Sequence, residues 1–420
     1  MIMDNQKIIY VYENWSNNLP NLIGRLYVDT AKGKENYSFE YDSLWLLNKN
    51  KKYILDADLN LYSGRQYTAV DKKMFGIFSD SCPDRWGRRL MQRRENIIAK
   101  KEQRKPRSLT ESDYLLGVYD ESRMGALRFS LNEGGEFLSD DRDFATPPWV
   151  SLRKLEAASL AYEKDESGLD DRWISQLIAL GSSLGGARPK ASVEAPDGSL
   201  WIAKFPSKND EYDIGAWEMV AHELAVKCGL NVPEAKLEKY SKNGSTFLTK
   251  RFDREIKKRI HFSSAMTMLG RNDGEDGSYL EIASFLKSQG AAPKADLKEL
   301  WCRIVFNMSI SNTDDHLRNH GFILEREGWR LSPMYDVNPV PYGDSLSLYV
   351  DETDNTIDLD LALSVANQFG LKQDDAKEII GNILKVVSDY KDIAKGLGIS
   401  RGSIEYMERA FLGITTTKNH

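Results

Sequence analysis

The stretch Ser311–Asn319, reading Ser-Asn-Thr-Asp-Asp-His-Leu-Arg-Asn, constrains this chain more than any other. Upstream, the residues from Leu297 to Ile310 repeat their apolar side chains at helical spacing, which predicts a buried helix. Downstream, Gly321-Phe-Ile-Leu324 and Trp329-Arg-Leu331 flank a turn at Glu325–Gly328, the pattern of a hairpin. The second run leads into Pro333-Met-Tyr-Asp336. A hairpin returns on itself, so Asp336 is expected beside the loop that carries Asp314 and Asn319. A proton acceptor, an amide oxygen and a second carboxylate gathered in this way are what phosphoryl transfer requires.

The spacing narrows the choice. Protein kinases set their catalytic-loop aspartate and metal-binding asparagine five residues apart, and a second metal-binding aspartate follows after a hairpin. Asp314 and Asn319 keep that interval, whereas Asp315 does not. Because Asp and Asn are also ordinary loop residues, the pair needs support from elsewhere in the chain.

Support comes from Gly181-Ser-Ser-Leu-Gly-Gly-Ala-Arg-Pro-Lys190. Glycines leave room for backbone amides to turn towards an anion. The loop runs into Ala191–Ala195, a Pro196-Asp-Gly198 turn and Leu200-Trp-Ile-Ala-Lys-Phe205, which read as a hairpin with Lys204 on its second strand. Kinases use a strand lysine of this kind to reach the nucleotide phosphates. The loop is neither a Walker A sequence nor GxGxxG, and alone it reads as a surface turn. A helix is expected from Ile214 to Cys228, stopped by Gly229. It offers two acids, Glu218 and Glu223, and its pattern does not choose between them as partner for Lys204. Ala235–Tyr240 and Thr246–Lys250 read as two further strands, after which the chain becomes mainly helical.

The first part of the chain is different in character. Ile8–Tyr12, Leu22–Val28 and Asn36–Tyr41 are rich in branched and aromatic residues and predict a β-meander. The stretch from Asp84 to Lys101 reads as a helix dense in arginine and lysine. Such a face can hold phosphates, but it more often meets acidic neighbours. The polar segment from Asn132 to Pro148 marks a boundary, and Ser151 is placed to cap a helix running to Tyr162. A chain of 420 residues holds two or three domains of this kind, and its formal charge of -6 gives no general attraction to nucleic acid. Three widely spaced cysteines fit unpaired thiols in a reducing compartment. With no signal peptide and no apolar run of ~18 residues, a cytoplasmic protein without membrane contact is expected.

Taken together, Ser183-Leu-Gly-Gly-Ala-Arg-Pro-Lys190, Gly229-Leu-Asn-Val-Pro233, Arg251-Phe-Asp-Arg254, Asn312-Thr-Asp-Asp-His316 with Asn319, and Tyr335-Asp336 resemble the HipA-type serine/threonine kinases, toxins of bacterial toxin–antitoxin pairs. The resemblance implies an α+β, two-lobed protein-kinase-like fold. An N-terminal β-rich module would occupy 1–135, a small lobe 149–250 and a mainly helical lobe 251–420. It implies ATP and magnesium, with Asp314 as general base and Asn319 and Asp336 as metal ligands. Lys204 becomes the phosphate lysine, and Glu218 is favoured over Glu223 as its partner. Gly185, Gly186, Ala187, Arg188, Pro189 and Lys190 would cover the nucleotide, with Lys250, Arg251 and Phe252 offering backbone to the adenine. His316, Leu317, Arg318 and Tyr335 would lie near it. Ser183, with Ser182 as second choice, matches a serine whose autophosphorylation inactivates family members. By the same analogy the partners are a helix-turn-helix antitoxin, DNA through that complex, and a protein substrate such as an aminoacyl-tRNA synthetase. Two competing readings are a kinase-shaped corepressor with little catalysis and a kinase acting on a lipid or small molecule.

Overall fold

Alternating branched and aromatic residues near the N-terminus give the chain its largest sheet. The strands are β1 (Gln6–Glu13), β2 (Asn21–Ala31), β3 (Lys34–Tyr41), β4 (Gln66–Tyr67) and β5 (Leu127–Ser130), arranged in the order β4-β3-β2-β1-β5. β1, β2 and β3 form the expected antiparallel meander. The β2–β3 turn is Lys32-Gly33, with φ of 51° and 77°; two positive φ values in a two-residue loop match the right-handed twist of the strands. Phe39, Phe78 and Phe129 meet beneath the sheet, with ring centroids 5.4 Å and 6.1 Å apart.

The computed structural model describes residues 6–16, 19–48, 53–138, 146–164, 177, 186, 188–256 and 258–414. The chain divides into two compact units, residues 1–203 with 251–272, and residues 204–250 with 273–420. Helix α1 (Arg85–Lys101) belongs to the first. Asp84 caps it by accepting from the Gly87 amide at 2.8 Å, and Trp86, Leu90 and Ala99 are buried. Within it Arg88 is bidentate on Glu111 at 2.8 and 2.7 Å, and Arg104, past the helix end, reaches back to Glu95 of the helix at 2.5 Å. Helix α2 (Leu152–Glu163) corrects one expectation. Ser151 precedes it but makes no capping bond, because a 3-10 turn over Trp149–Ser151 already holds its backbone near helical values. β6 (Lys190–Glu194) and β7 (Leu200–Lys204) are neighbouring strands, turned by Gly198 at φ 80°.

The second unit begins at Lys204. Helix α3 (Ile214–Lys227) is capped by Asp213 and ends where Gly229 takes φ 75°. β8 (Ala235–Glu238) pairs antiparallel with β9 (Thr246–Lys250). Helix α4 (Pro293–Ser309) starts one turn before the apolar pattern does, with proline in the first turn where a missing N–H costs nothing. Leu300, Trp301, Ile304, Val305 and Phe306 are each fully buried, so α4 is the core helix of this unit. Shorter helices over Gln373–Val387, Tyr390–Gly396 and Arg401–Met407 follow. The fold class is therefore α+β, with a β-rich N-terminal part and a helical C-terminal part. Cys82, Cys228 and Cys302 are unpaired. No helix among the described residues is long and apolar enough to cross a membrane.

Candidate active site

Lys204 ends β7, and its Nζ lies 2.5 Å from Glu218 Oε1 and 2.6 Å from Asp336 Oδ1. Glu218 sits in the second turn of α3, where the helix turns its apolar face inward, and it is buried with Ala221 and Val220. Lys204 therefore meets Glu218 and not Glu223. Burial works against the ammonium, but the Asp336 and Glu218 carboxylates outweigh it and raise the pKa, so Lys204 stays cationic.

The loop after α4 is built on a buried polar cage. Ser311 turns the chain at φ 48°, and the Asn312 amide bonds back to the Asn307 carbonyl at 2.8 Å. Asp315, 3% exposed, accepts from Tyr279 Oη at 2.5 Å, Asn307 Nδ2 at 2.9 Å and His320 Nε2 at 2.8 Å. Desolvation would raise its pKa, yet His320 and the Tyr279 hydroxyl hold it below the usual carboxylate value. Its neighbour Asp314 points outward instead. The protein around the exposed Asp314 still desolvates it enough to raise its pKa, and the charge of Asp336 adds to this while His316 opposes it. One aspartate thus anchors the loop and the other is offered to the surroundings.

Asn319 closes the Leu317–Asn319 turn, and its Nδ2 donates to the Asp314 carbonyl at 2.9 Å. That bond fixes the amide, and its buried Oδ1 has no hydrogen-bond partner. An orphaned buried oxygen is costly unless something fills it. The hairpin of Gly321–Glu325 and Gly328–Leu331 then returns the chain, with Phe322 opposite Leu331, to Tyr335, whose hydroxyl donates to the Arg318 carbonyl at 2.7 Å. Asp336 follows at φ 59°, a left-handed conformation that Asp tolerates better than most residues. Arg318 is drawn to Asp273 at 2.7 Å, and Leu317 is buried. The donor set of one unpartnered amide oxygen and one carboxylate suits a hard cation that takes its remaining oxygens from a bound ligand. No cluster of three His, Cys, Asp or Glu side chains suited to a metal exists among the described residues.

Other expected positions lie in the first unit. Lys190 Nζ is committed to Asp84 Oδ2 at 2.6 Å, with both side chains buried. Gly186, Arg188 and Pro189 lead into it, whereas Ser182, Ser183, Gly185 and Ala187 lie outside the described residues. The Arg251 side chain is wholly buried: it is bidentate on Asp253 at 2.8 and 2.7 Å and donates to the Ser122 carbonyl at 2.6 Å. The Arg251 amide donates to Leu200, and the Phe252 ring packs on Phe262. In the second unit, the Lys250 amide donates to Glu234 and its ammonium stays near the same residue at 3.5 Å. A base read by this segment would have to use groups other than the amides of Lys250 and Arg251. The Asp315 cage and the Asp84–Lys190 pair had no signal in the spacing, since Tyr279 and Asp84 lie far in sequence from the groups they meet; Arg251 and Asp253 are neighbours in sequence, but the Ser122 carbonyl that Arg251 also meets is not.

A family description, the HipA-like C-terminal domain, matches residues 182–390. Among curated relatives, Y4mE of Sinorhizobium fredii is 28% identical over 39% of this chain and 43% of its own length. Y4dM of the same organism is 29% identical over 46% and 55%. Both carry provisional kinase names, and the chain spans about half the length of the curated relatives it matches. A solved structure from Shewanella oneidensis MR-1, the toxin–antitoxin system of HipA and HipB with its operator DNA, matches with a TM-score of 0.63 at 15% identity. It covers 96% of this chain and 95% of that one, and it shows the fold. Lys204, Glu218, Asp314, Asn319 and Asp336 all fall inside residues 182–390, and over that stretch the chain is similar to the HipA-like C-terminal domain.

Proposed function

We propose that the chain is an ATP- and magnesium-dependent serine/threonine protein kinase. The observation that carries this reading is the largely enclosed Lys204 ammonium, held between Glu218 and Asp336 at 2.5 and 2.6 Å. Kinases need such a lysine–glutamate pair together with a metal-binding aspartate before transfer can occur, and a scaffold needs neither. Asp314 takes the proton of the acceptor hydroxyl as its oxygen bonds to the γ-phosphorus and the bond to ADP breaks. Lys204 neutralises phosphate charge, Glu218 keeps it in place, and the Asp315 cage fixes the loop from below. Asn319 Oδ1 and Asp336 would hold magnesium, which supplies charge stabilisation to the transferring phosphoryl group when bound.

Under the same proposal the chain acts in the cytoplasm as the toxin of a toxin–antitoxin pair. The Shewanella complex contains HipB and its operator DNA, and by that likeness the partners here are a helix-turn-helix antitoxin and, through it, DNA. An aminoacyl-tRNA synthetase is the substrate class proposed. Autophosphorylation at Ser183, or at Ser182 next to it, would switch the activity off, because a phosphate of about -1.5 to -2 charges repels those of the nucleotide.

The test is ATP-dependent phosphate labelling of a bacterial lysate by the purified chain and by Asp314→Asn. Labelling of a discrete protein by the first and at least ~10²-fold less by the second is expected, since general bases contribute about 10²–10⁴ in rate. Equal labelling by both proteins removes the assignment.

A further inference from the structure

β8 is the last strand of its sheet, bonded to β9 on one side. The register sets Ala235 opposite Thr249 and Glu238 opposite Thr246, and the Lys250 amide donates to the Glu234 carbonyl at 2.8 Å. Bonded and non-bonded pairs alternate along an antiparallel ladder. Lys236 and Glu238 therefore turn their backbone groups towards β9, and those of Ala235 and Leu237 point off the edge. Leu237 and Lys239 line a groove of about 920 Å³.

The far wall of that groove is the segment from Gly396 to Tyr406, whose lining residues include Gly396, Gly398, Gly402 and Ser403. Small residues leave the trough unfilled. At one end Tyr406 meets Tyr212 and Tyr342, with centroids 5.7 and 5.5 Å apart, and its hydroxyl lies 3.4 Å from Glu211. The charged lining residues are Glu211, Asp213 and Glu238 against Lys239 alone, so the groove is acidic. Sheet edges are ordinarily covered or paired, because their outward groups bind any strand that fits.

We propose that this groove docks an extended, basic peptide segment of a partner protein, added to β8 as a further strand. Main-chain bonds to the outward groups of Ala235 and Leu237 supply the affinity, as in other strand additions. The acidic lining and the tyrosine end select arginine or lysine, which bind carboxylates and aromatic faces alike. The groove shares α3 with the Lys204–Glu218 pair but none of that centre's residues, so it does not depend on the catalytic reading.

The probe is a short fluorescent peptide alternating arginine with valine and threonine, titrated into the full chain by anisotropy. Two further peptides serve as comparisons, one with alternate amides N-methylated and one with glutamate in place of arginine. Leu237→Pro deletes an outward donor without losing a ladder bond, a position where strands accept proline. Glu211→Lys/Glu238→Lys reverses the lining charge and serves as the second variant, with both melting curves recorded. Saturable binding is expected, weakened about tenfold or more in either variant and by N-methylation. Absence of saturable binding, equal affinity for the glutamate peptide, or unchanged affinity in both folded variants overturns the proposal.

Discussion

At the scale of single residues, two adjacent aspartates with opposite surroundings divide the labour of the loop. The interval to Asn319 singled out Asp314 from the sequence, but nothing in the sequence showed why its neighbour is there. Asp315 is fastened by Tyr279, Asn307 and His320, which reach it from three different segments. Asp336 has a double constraint, chemical and conformational. Its φ of 59° costs most L-residues roughly 1–2 kcal/mol, while Asn accepts it. Asp336→Asn is therefore expected to lose phosphate transfer without the backbone penalty, whereas Asp336→Val should lose transfer and be about 1–2 kcal/mol less stable than Asp336→Asn. Urea unfolding beside a transfer assay separates the two. Incubation with magnesium and ATP followed by peptide mass spectrometry should place phosphate on Ser183 or Ser182; an unmodified peptide covering both serines ends the proposed switch.

At the scale of elements, the strands and turns were legible because their causes are local. Alternation fixed β1 to β3, Lys32-Gly33 fixed one turn, and Gly229 stopped α3. What stayed hidden was held together over long sequence distances. Asp253 accepts from Arg251 and Arg254, its neighbours in sequence, and also from the amide of Gly125, 128 residues upstream, and no periodicity announces that last link. Burial would raise the Asp253 pKa, but the Arg251 and Arg254 charges hold it down at about 2. A carboxylate depressed in the folded state stabilises fully above its unfolded pKa of about 3.9, and that contribution fades as pH falls towards the folded value. Asp253→Asn leaves two buried guanidinium groups without their anion, which is expected to cost about 3–5 kcal/mol. Unfolding by urea at neutral pH measures the loss. The difference between parent and variant should shrink between about pH 4 and pH 2.

At the scale of the whole molecule, the net charge of -6 sets a limit on what the chain does alone. Arg88 of helix α1 is paired with Glu111, and Arg104 just beyond the helix is paired with Glu95. The isolated chain is therefore expected to leave a DNA duplex unretarded in a gel at ~0.15 M salt, where long-range attraction is screened beyond about 8 Å. Retardation without any added partner would contradict this. The division into two units also has a bearing on how the protein is made. The first unit needs residues 251–272, yet the ribosome delivers residues 204–250 of the other unit before them. At roughly 5–20 residues per second, the emerging N-terminal part waits several seconds for its missing segment. During that interval Arg123 and the Gly125 amide stand without Arg251, Asp253 and Arg254, the groups that later join them. Nascent chains stalled between residues 203 and 251 should consequently be the forms that chaperones hold longest.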